Sequence, residues 1–397
     1  MNYSLTIKAC YVGTFVQAII INLAAILFTS LAYQFSLSYT QLGILVFINF
    51  GTQVSVALIF GNIVDRYGFR RFIVGAHLGA IVGIGIFAAT PLLPFEPYLV
   101  LIIGTVIYSA AGGFMELLHS PILNAVPSEE KESAMSIMHG FYCFGQLFVV
   151  IGTTVFLFIF GRDAWPIVAL LWLTIPLIAA VLFMISPIAE AVPVDKQSSA
   201  KAALHQPLFI VLVLIILFSG ASEITFSQWA SAFLERAMGI PKIIGDFAGV
   251  GMFALMMGLS RISYGILKQK GTAWLPAQSK LMLAGSALAA VCYIAMAVSY
   301  NPVIGLIACA LCGLGVGLLW PGTLSLAVDS YPRAGTWMFA IMAAAGNIGA
   351  SSGPVILGVI ADLGNLRYGF FVTVIFPLGA VLCLMLYHRL KPKAAIG

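Results

Sequence analysis

Two acidic residues stand inside long apolar stretches of this sequence, where a carboxyl group can bind a proton or hydrogen-bond a polar ligand. Glu116 lies five residues before Pro121, and Glu223 lies three residues after Gly220. A charged side chain in hydrocarbon costs at least about 2.5 kcal/mol on insertion scales. An acid in such a place therefore indicates a function, or else a hydrogen bond that holds two helices together.

Glu116 is accompanied by polar side chains at helical spacing. His119 follows three residues later and shares its helical face, and His139 and Gln146 lie seven residues apart on the next apolar stretch. Two antiparallel helices would bring these groups to similar depths. Burial favours the neutral, protonated acid, so Glu116 can load and release a proton. We predict proton coupling by Glu116, His139 and His119, with a structural hydrogen bond as the alternative.

Glu223 begins a second polar group that suits a sugar. Gln228 and Trp229 follow within two helical turns. A carboxylate and an amide can bond hydroxyl groups, while an indole can stack on the apolar face of a sugar ring. We predict that all three bind substrate, together with Gln146. Trp229 has an alternative role as an aromatic belt residue at the membrane surface.

Amide side chains also occur in the middle of apolar stretches, where they can line a binding site or bond one helix to another. These are Gln17, Asn22, Asn49, Gln53 and Asn347. We predict substrate contacts for Asn22, Gln53 and Asn347. Trp320 precedes Pro321 and is predicted to act as an aromatic lid or hinge in the same site, whereas His77 is predicted to be structural.

The composition requires a membrane around these residues. The chain is 61% hydrophobic and 8% charged, with a mean hydropathy of +1.06. Apolar stretches long enough to cross a bilayer as helices recur from end to end. We predict an all-α membrane protein with twelve transmembrane helices at about 10–33, 40–62, 71–93, 98–124, 133–160, 164–186, 207–233, 243–267, 277–299, 302–327, 334–361 and 367–388.

A polar segment divides the predicted spans into two sets of six. We predict an N-terminal six-helix bundle at 1–186, a cytoplasmic linker at 187–206 and a C-terminal six-helix bundle at 207–397. Glycines and basic residues close the second span and also the eighth, which indicates an internal duplication. Parallel six-span repeats of this kind are a known transporter design.

Basic residues predict the orientation. With the N-terminus inside, fifteen lysines and arginines, including Arg261, fall in inside loops and tails, against four outside. The positive-inside rule then places both termini in the cytoplasm. We predict that the membrane is a plasma membrane, most simply a bacterial inner membrane.

Other classes of protein are not indicated. The six cysteines lie in or beside apolar runs, as packing residues do, and no metal-ligand spacing, phosphate loop or nucleophile elbow occurs. We therefore expect neither an enzyme nor a cofactor or metal. The net charge of +5 comes from short loops and does not indicate nucleic-acid binding. We also expect the protein to be a monomer.

The loop after the second predicted span carries a family resemblance. Gly61, followed by Asp65-Arg66-x-Gly68-x-Arg70-Arg71, resembles the loop signature of the major facilitator superfamily. Twelve spans, a central linker and inside termini agree with it over the whole chain. The resemblance implies that Asp65, Arg66 and Arg70 form a gating loop that contacts neighbouring helix ends and latches one conformation.

Within that superfamily, four short patterns are similar to the fucose permease-like sugar:proton symporters. They are Glu116-x-x-x-x-Pro121, His139-x-Phe141-x-x-Phe144-Gly145, Gly220-x-x-Glu223 through Trp229, and Gly349-x-x-x-x-Pro354-x-x-x-Gly358-x-x-x-Asp362. One position departs. The fucose permease after which that family is named has an aspartate before an Ile-Leu pair in its first span, where this chain has Ala24-Ala25. Proton coupling here would then rest on Glu116 or Glu223, or the chain would be a uniporter.

Together these features predict a secondary active transporter that moves a small polar solute, a monosaccharide above all, by alternating access with proton symport. A proton-coupled exporter of amphiphilic or drug-like compounds is an alternative favoured by 28 phenylalanines and 14 methionines. An organic-anion transporter is another. A membrane receptor or scaffold would predict a large soluble domain, which this sequence does not show.

Overall fold

The computed structural model describes residues 3–37, 39–61, 63–127, 131–189, 206–332, 336–363 and 365–390. Within these ranges the chain forms helices joined by short turns, and no strand occurs. It divides into two compact units, Met1–Val192 and Pro193–Gly397. Most of the predicted linker, residues 190–205, lies outside the described ranges.

The first unit is built from helices that follow the predicted spans closely. Their bounds are α1 (Ser4–Ile26), α2 (Phe28–Phe35), α3 (Tyr39–Phe60), α4 (Ile63–Tyr67), α5 (Phe69–Ala88), α6 (Pro97–Ala125), α7 (Lys131–Phe160), α8 (Trp165–Leu171) and α9 (Thr174–Ile185). Short 3-10 helices cover Thr90–Leu92 and Arg162–Ala164.

The second unit is built in the same way. Its helices are α10 (Pro207–Met238), α11 (Lys242–Ile244), α12 (Met252–Gln269), α13 (Gln278–Val298), α14 (Pro302–Val316), α15 (Leu319–Ser330), α16 (Thr336–Leu363), α17 (Leu366–Thr373) and α18 (Ile375–Leu390). A π-helix, Gly245–Gly251, runs directly into α12.

The described part of the chain contains eleven helical segments long and apolar enough to cross a membrane. The second predicted span corresponds to a shorter apolar helix, Ile44–Phe60. The predicted all-α membrane architecture is therefore confirmed. The predicted spans and the observed helices differ in one respect. Several spans that the hydropathy pattern predicts as continuous helices are broken in the structure.

Prolines explain three of these breaks. Helices α9, α15 and α18 each begin two residues before a proline, at Pro176, Pro321 and Pro377. Proline has no backbone N–H, and its ring clashes with the carbonyl four residues earlier. The carbonyl groups at each break therefore lose a partner within the helix and become available to other donors.

The two units repeat the same helix pairing. In the first unit α1 packs on α7, α5 on α6, and α3 on α6; in the second α10 packs on α16, α13 on α14, and α12 on α14. In both units, the first span packs on the fifth, the third on the fourth, and the second on the fourth. The internal duplication that sequence suggests is thus also present in the packing.

Glycines allow the helix pair α10–α16 to pack backbone against backbone. A Cβ at Gly349 would overlap the carbonyl of Leu217, and one at Gly220 would overlap the carbonyl of Gly346. Small residues at such contacts let helices approach closely in a bilayer, where van der Waals packing drives helix association. This contact positions Glu223, which lies one turn beyond Gly220.

Candidate functional site

A chain of three amide side chains joins α1 to α3 in the first unit. Nε2 of Gln17 donates to Oε1 of Gln53 at 2.9 Å, and Nε2 of Gln53 donates to Oδ1 of Asn49 at 2.7 Å. Nδ2 of Asn49 in turn donates to the carbonyl of Ile20 at 2.9 Å. Gln53 is fully buried and Gln17 is 7% exposed. We refer to these three residues as the amide chain.

The amide chain ends in an acceptor without a donor. Oε1 of Gln17 is buried and has no hydrogen-bond partner in the structure. A buried polar atom that lacks its partner costs about 1–3 kcal/mol, and Oε1 of Gln17 is one of several such side-chain atoms among the described residues. The arrangement can accept a hydrogen bond from a hydroxyl group that reaches Gln17.

Helix α6 passes directly over this chain because it carries two glycines. A Cβ at Gly113 would lie 3.0 Å from the Cα of Gln53, and one at Gly112 would lie 3.4 Å from the Gln53 amide. Glu116 follows one turn later on α6 and is half-buried. The sequence predicts a substrate contact for Gln53, and the structure places Gln53 against α6, the helix that carries Glu116.

His119 of α6 lies near histidines from two other helices of the first unit. The rings of His77 on α5 and His119 on α6 have centroids 6.0 Å apart, and His119 interacts electrostatically with His139 on α7. His119 is 3% exposed and its ring packs against Gly13 of α1. His77 bonds the carbonyl of Ile73 at 2.7 Å, as a structural histidine does.

His77, which the sequence predicts to be structural, lies beside His119, a residue predicted for proton coupling. The ring of Phe183 packs on two of these histidines, with its centroid 5.1 Å from that of His77 and 5.9 Å from that of His119. Among the described residues no group of three or more His, Cys, Asp or Glu side chains has the arrangement to hold a metal ion.

The other two predicted substrate residues of the first unit lie in different environments. Gln146 is buried on α7 at 4% exposure. Asn22 is half-buried on α1, and its Nδ2 donates to the carbonyl of Ala18 in its own helix at 2.8 Å.

In the second unit Glu223 forms an ion pair with a residue on another helix. Nη2 of Arg261, on α12, lies 2.8 Å from Oε2 of Glu223, on α10, and both side chains are almost fully buried. Nε of Arg261 donates to the carbonyl of Gly317 at 2.7 Å. Pro321 lies four residues after Gly317, so that carbonyl has no helical N–H donor and is free to accept from Arg261.

The remaining predicted residues of this unit surround the contact between α10 and α16. Nε1 of Trp229 donates to the carbonyl of Pro354 at 3.0 Å, while Gln228 beside it is half-buried. The indole of Trp320 packs against Gly346, next to Asn347, which is 3% exposed. Trp229 therefore joins two helices through its N–H, and its ring is only partly exposed.

Sequence reasoning missed two buried charged residues. Arg261 was counted among the inside loop charges, but it is 2% exposed within α12. Asp246, a second buried charge, is 6% exposed in the π-helix and accepts a hydrogen bond from Oγ of Ser231 at 2.5 Å. Asp246 could have been found from the sequence because it lies inside a predicted span, which is the same criterion that selects Glu116.

The loop signature places a guanidinium on a helix end. Arg70 donates to the carbonyls of Phe183, Met184 and Ser186 at 3.0, 2.5 and 2.6 Å. These are the last carbonyls of α9, which carry the partial negative charge of that helix end. A cation there stabilises the end of the sixth predicted span, in agreement with a contact between this loop and a neighbouring helix.

The other two residues predicted for the gating loop differ from Arg70. Arg66 is exposed and lies 5.6 Å from the centroid of the neighbouring Tyr67 ring. The side chain of Asp65 lies outside the described part of the structure.

Comparison with known families identifies the class of this protein. A sequence model of the Major Facilitator Superfamily matches residues 10–338 and, in an overlapping second match, residues 278–396. The chain therefore belongs to the Major Facilitator Superfamily, and it is a multi-pass membrane transporter and not an enzyme. A search of curated proteins found no match.

Solved structures show the same fold along the whole chain. A Major Facilitator Superfamily transporter, FucP, crystallised in the outward conformation, matches with a TM-score of 0.79 and 16% identity, covering 98% of this chain and 99% of that one. A variant of the E. coli fucose:proton symporter FucP matches with a TM-score of 0.77 and 15% identity over the same shares. At this identity the likeness establishes the fold, and the solute has to be argued from the residues of this chain.

Proposed function

We propose that this transporter moves a monosaccharide, or a similar small polyhydroxylated solute, by alternating access together with a proton. The observation that carries the proposal is the unfilled acceptor at the end of the amide chain, Oε1 of Gln17. A sugar presents several hydroxyl groups, each able to donate and to accept. Amide side chains fixed by their own hydrogen bonds are matched to such a ligand because they can do both.

Substrate contacts are proposed on both units. In the first, Gln17 and Gln53 of the amide chain act with Gln146 and Asn22. In the second, Trp229 and Trp320 provide aromatic rings for the apolar face of a sugar ring. The remaining proposed contacts there are the polar side chains of Glu223, Gln228 and Asn347.

The proton is proposed to bind at Glu116, with His119 and His139 as partners. A half-buried carboxyl within an apolar bundle exchanges a proton at lower cost than it holds a permanent charge. Glu223 is less suited to this role, because Arg261 compensates its charge at 2.8 Å. Glu223 therefore acts in the proposal as a fixed hydrogen-bond acceptor.

An uptake experiment tests the proposal. Purified protein is screened for thermal stabilisation across a library of sugars, polyols, organic acids and amphiphilic compounds, and each hit is offered to proteoliposomes with and without an inward proton gradient. We expect a sugar or polyol to stabilise the protein and to accumulate only with the gradient. Failure of every sugar and polyol to enter under either condition would exclude the proposed function.

A second candidate, organic-anion transport, is favoured by one observation. Arg261 is a buried cation in the second unit, and a guanidinium binds carboxylates in bidentate fashion. An anionic solute would have to replace Glu223 as its partner. Accumulation of an organic acid, together with loss of its uptake in Arg261→Gln, would select this candidate over the first.

The orientation proposed from loop charges does not change when Arg261, which is buried, is no longer counted as a loop charge. Removing Arg261 from the fifteen inside charges leaves fourteen against four, which still favours cytoplasmic termini. We propose a monomer in the plasma membrane, and in a bacterial source the inner membrane. Labelling of single cysteines introduced at Lys8 and Arg162 from either side of the membrane tests the orientation.

A further inference from the structure

The turn between α12 and α13 carries a basic and aromatic surface that is separate from the candidate functional site. Lys270 and Lys280 are exposed at its two ends, and Trp274 between them is 73% exposed. Trp274 is the one tryptophan among the exposed large hydrophobic side chains of the described residues. We call Lys270, Trp274 and Lys280 the interfacial patch.

The patch is free of acidic neighbours in the sequence. No aspartate or glutamate occurs between Asp246 and Asp329. The other inside turns are different: the segment Pro127–Glu132 holds three glutamates around Lys131, and the loop after α3 uses Arg70 to bind helix carbonyls. The positive charge of the patch therefore has no acidic residue beside it in the turn to compensate it.

Two candidate membrane spans flank this turn. Helix α12 and the π-helix form one candidate span, Gly245–Gln269, and α13 forms the next, Gln278–Val298. Gly271 adopts the left-handed conformation with φ of +61° and ends α12 through a bond from its N–H to the carbonyl of Lys268. The patch thus lies within a few residues of two candidate span ends, where a bilayer would place its lipid headgroups.

We infer that the interfacial patch binds anionic phospholipid headgroups of the adjoining leaflet. A tryptophan ring is most stable at the boundary between hydrocarbon and water, where its N–H can remain hydrated. Lysines beside it attract the phosphate and the net negative charge of an anionic lipid, whereas a zwitterionic lipid offers no net charge. The patch joins both properties in one turn. This inference does not depend on the identity of the transported solute.

Native mass spectrometry of the full chain tests the inference by titration with phosphatidylglycerol and, separately, phosphatidylcholine. The patch variant carries Lys270→Gln and Lys280→Gln. The matched control carries Lys8→Gln and Lys131→Gln, which removes two exposed lysines from other segments. We expect wild-type protein to retain phosphatidylglycerol in preference, and the patch variant to bind it about five-fold more weakly per lysine, about 25-fold in all.

A fluorescence measurement tests the aromatic part. The signal of Trp274 is the difference between wild type and Trp274→Phe, and brominated lipids quench it when they touch the ring. We expect stronger quenching by brominated phosphatidylglycerol than by brominated phosphatidylcholine. Equal quenching by the two lipids, or equal phosphatidylglycerol binding by the patch variant and the control variant, would overturn the inference.

Discussion

The guanidinium of Arg261 and the carboxylate of Glu223 form an ion pair at 2.8 Å inside the second unit, with side-chain exposures of 2% and 8%. The pair joins α12 to α10 across 38 residues of sequence. Desolvation of two charges is expensive, and attraction at short range offsets it only while both partners remain. The pair is therefore a place where one substitution has a larger effect than two.

This relationship predicts a rescue by double substitution. Glu223→Gln alone leaves Arg261 charged and buried without its partner, which costs about 3–5 kcal/mol of stability. Replacing both residues, as Glu223→Gln with Arg261→Gln, removes the uncompensated charge and recovers most of the loss. Thermal unfolding in detergent measures both effects. Glu235→Gln, on the exposed face of the same helix, is the control and should change little. A double variant no more stable than the single one would contradict this view of the pair.

Glu116→Gln should separate accumulation from exchange. The amide cannot carry a proton, so uptake driven by a proton gradient should fall to the level of passive equilibration. Exchange of labelled solute between equally loaded compartments should persist, since the substrate contacts remain. Proteoliposome assays of both processes make the distinction. Intact accumulation in Glu116→Gln would remove this residue as the proton site, and loss of both processes would assign it to binding or structure.

Gln17→Leu should remove a hydrogen bond to the solute as well as one to Gln53. The first effect is visible as specificity: wild type should bind the solute about ten-fold more tightly than a deoxy analogue lacking the hydroxyl that reaches Gln17, which corresponds to about 1.4 kcal/mol. In Gln17→Leu the two should bind alike. Ser55→Ala, which removes a hydroxyl bonded to its own helix, serves as control. Unchanged discrimination in the variant would show that the acceptor of Gln17 does not meet the solute.

Two glycine substitutions should have opposite effects on folding. Gly349→Ala forces a Cβ into the carbonyl of Leu217, so α10 and α16 must move apart, at a cost of about 1–3 kcal/mol or more. Gly75→Ala on α5 meets no atom within 4 Å and should be neutral or stabilising by up to about 1 kcal/mol. Unfolding temperatures of the two variants compare the effects directly. Similar stability in both would rule out close backbone packing at Gly349.

Much of the architecture could be predicted because its causes are local. Spans follow from runs of apolar residues. The breaks near Pro176, Pro321 and Pro377 were not predicted, although the missing N–H of proline explains them. The loop signature also predicted a helix-end contact, which Arg70 makes. Division of the chain at 187–206 stays a prediction, since most of that segment lies outside the described residues.

The candidate site was predictable only in part. Hydropathy selects Glu116 and Glu223 because an acid stands out in an apolar run, and by the same criterion it should have selected Asp246. Hydropathy does not reveal that Arg261, which lies inside the predicted span 243–267, is buried and paired with Glu223. It also ranks Gln17 no higher than other amides, since nothing in a single helix shows which amide lacks a partner.

The sequence alone determined a helical membrane protein of the Major Facilitator Superfamily. Apolar length, proline positions and a charged loop are sufficient for this because each affects only the few residues around it. Only the tertiary structure decided that Glu223 meets Arg261, that Gln17, Gln53 and Asn49 form one chain, and that His77 joins His119. The physical reason is that a buried polar group is defined by its partner, and these partners lie on different helices. Their pairing depends on which helix faces meet. Glycines on α6 and α16 and a proline in α15 control how those faces meet.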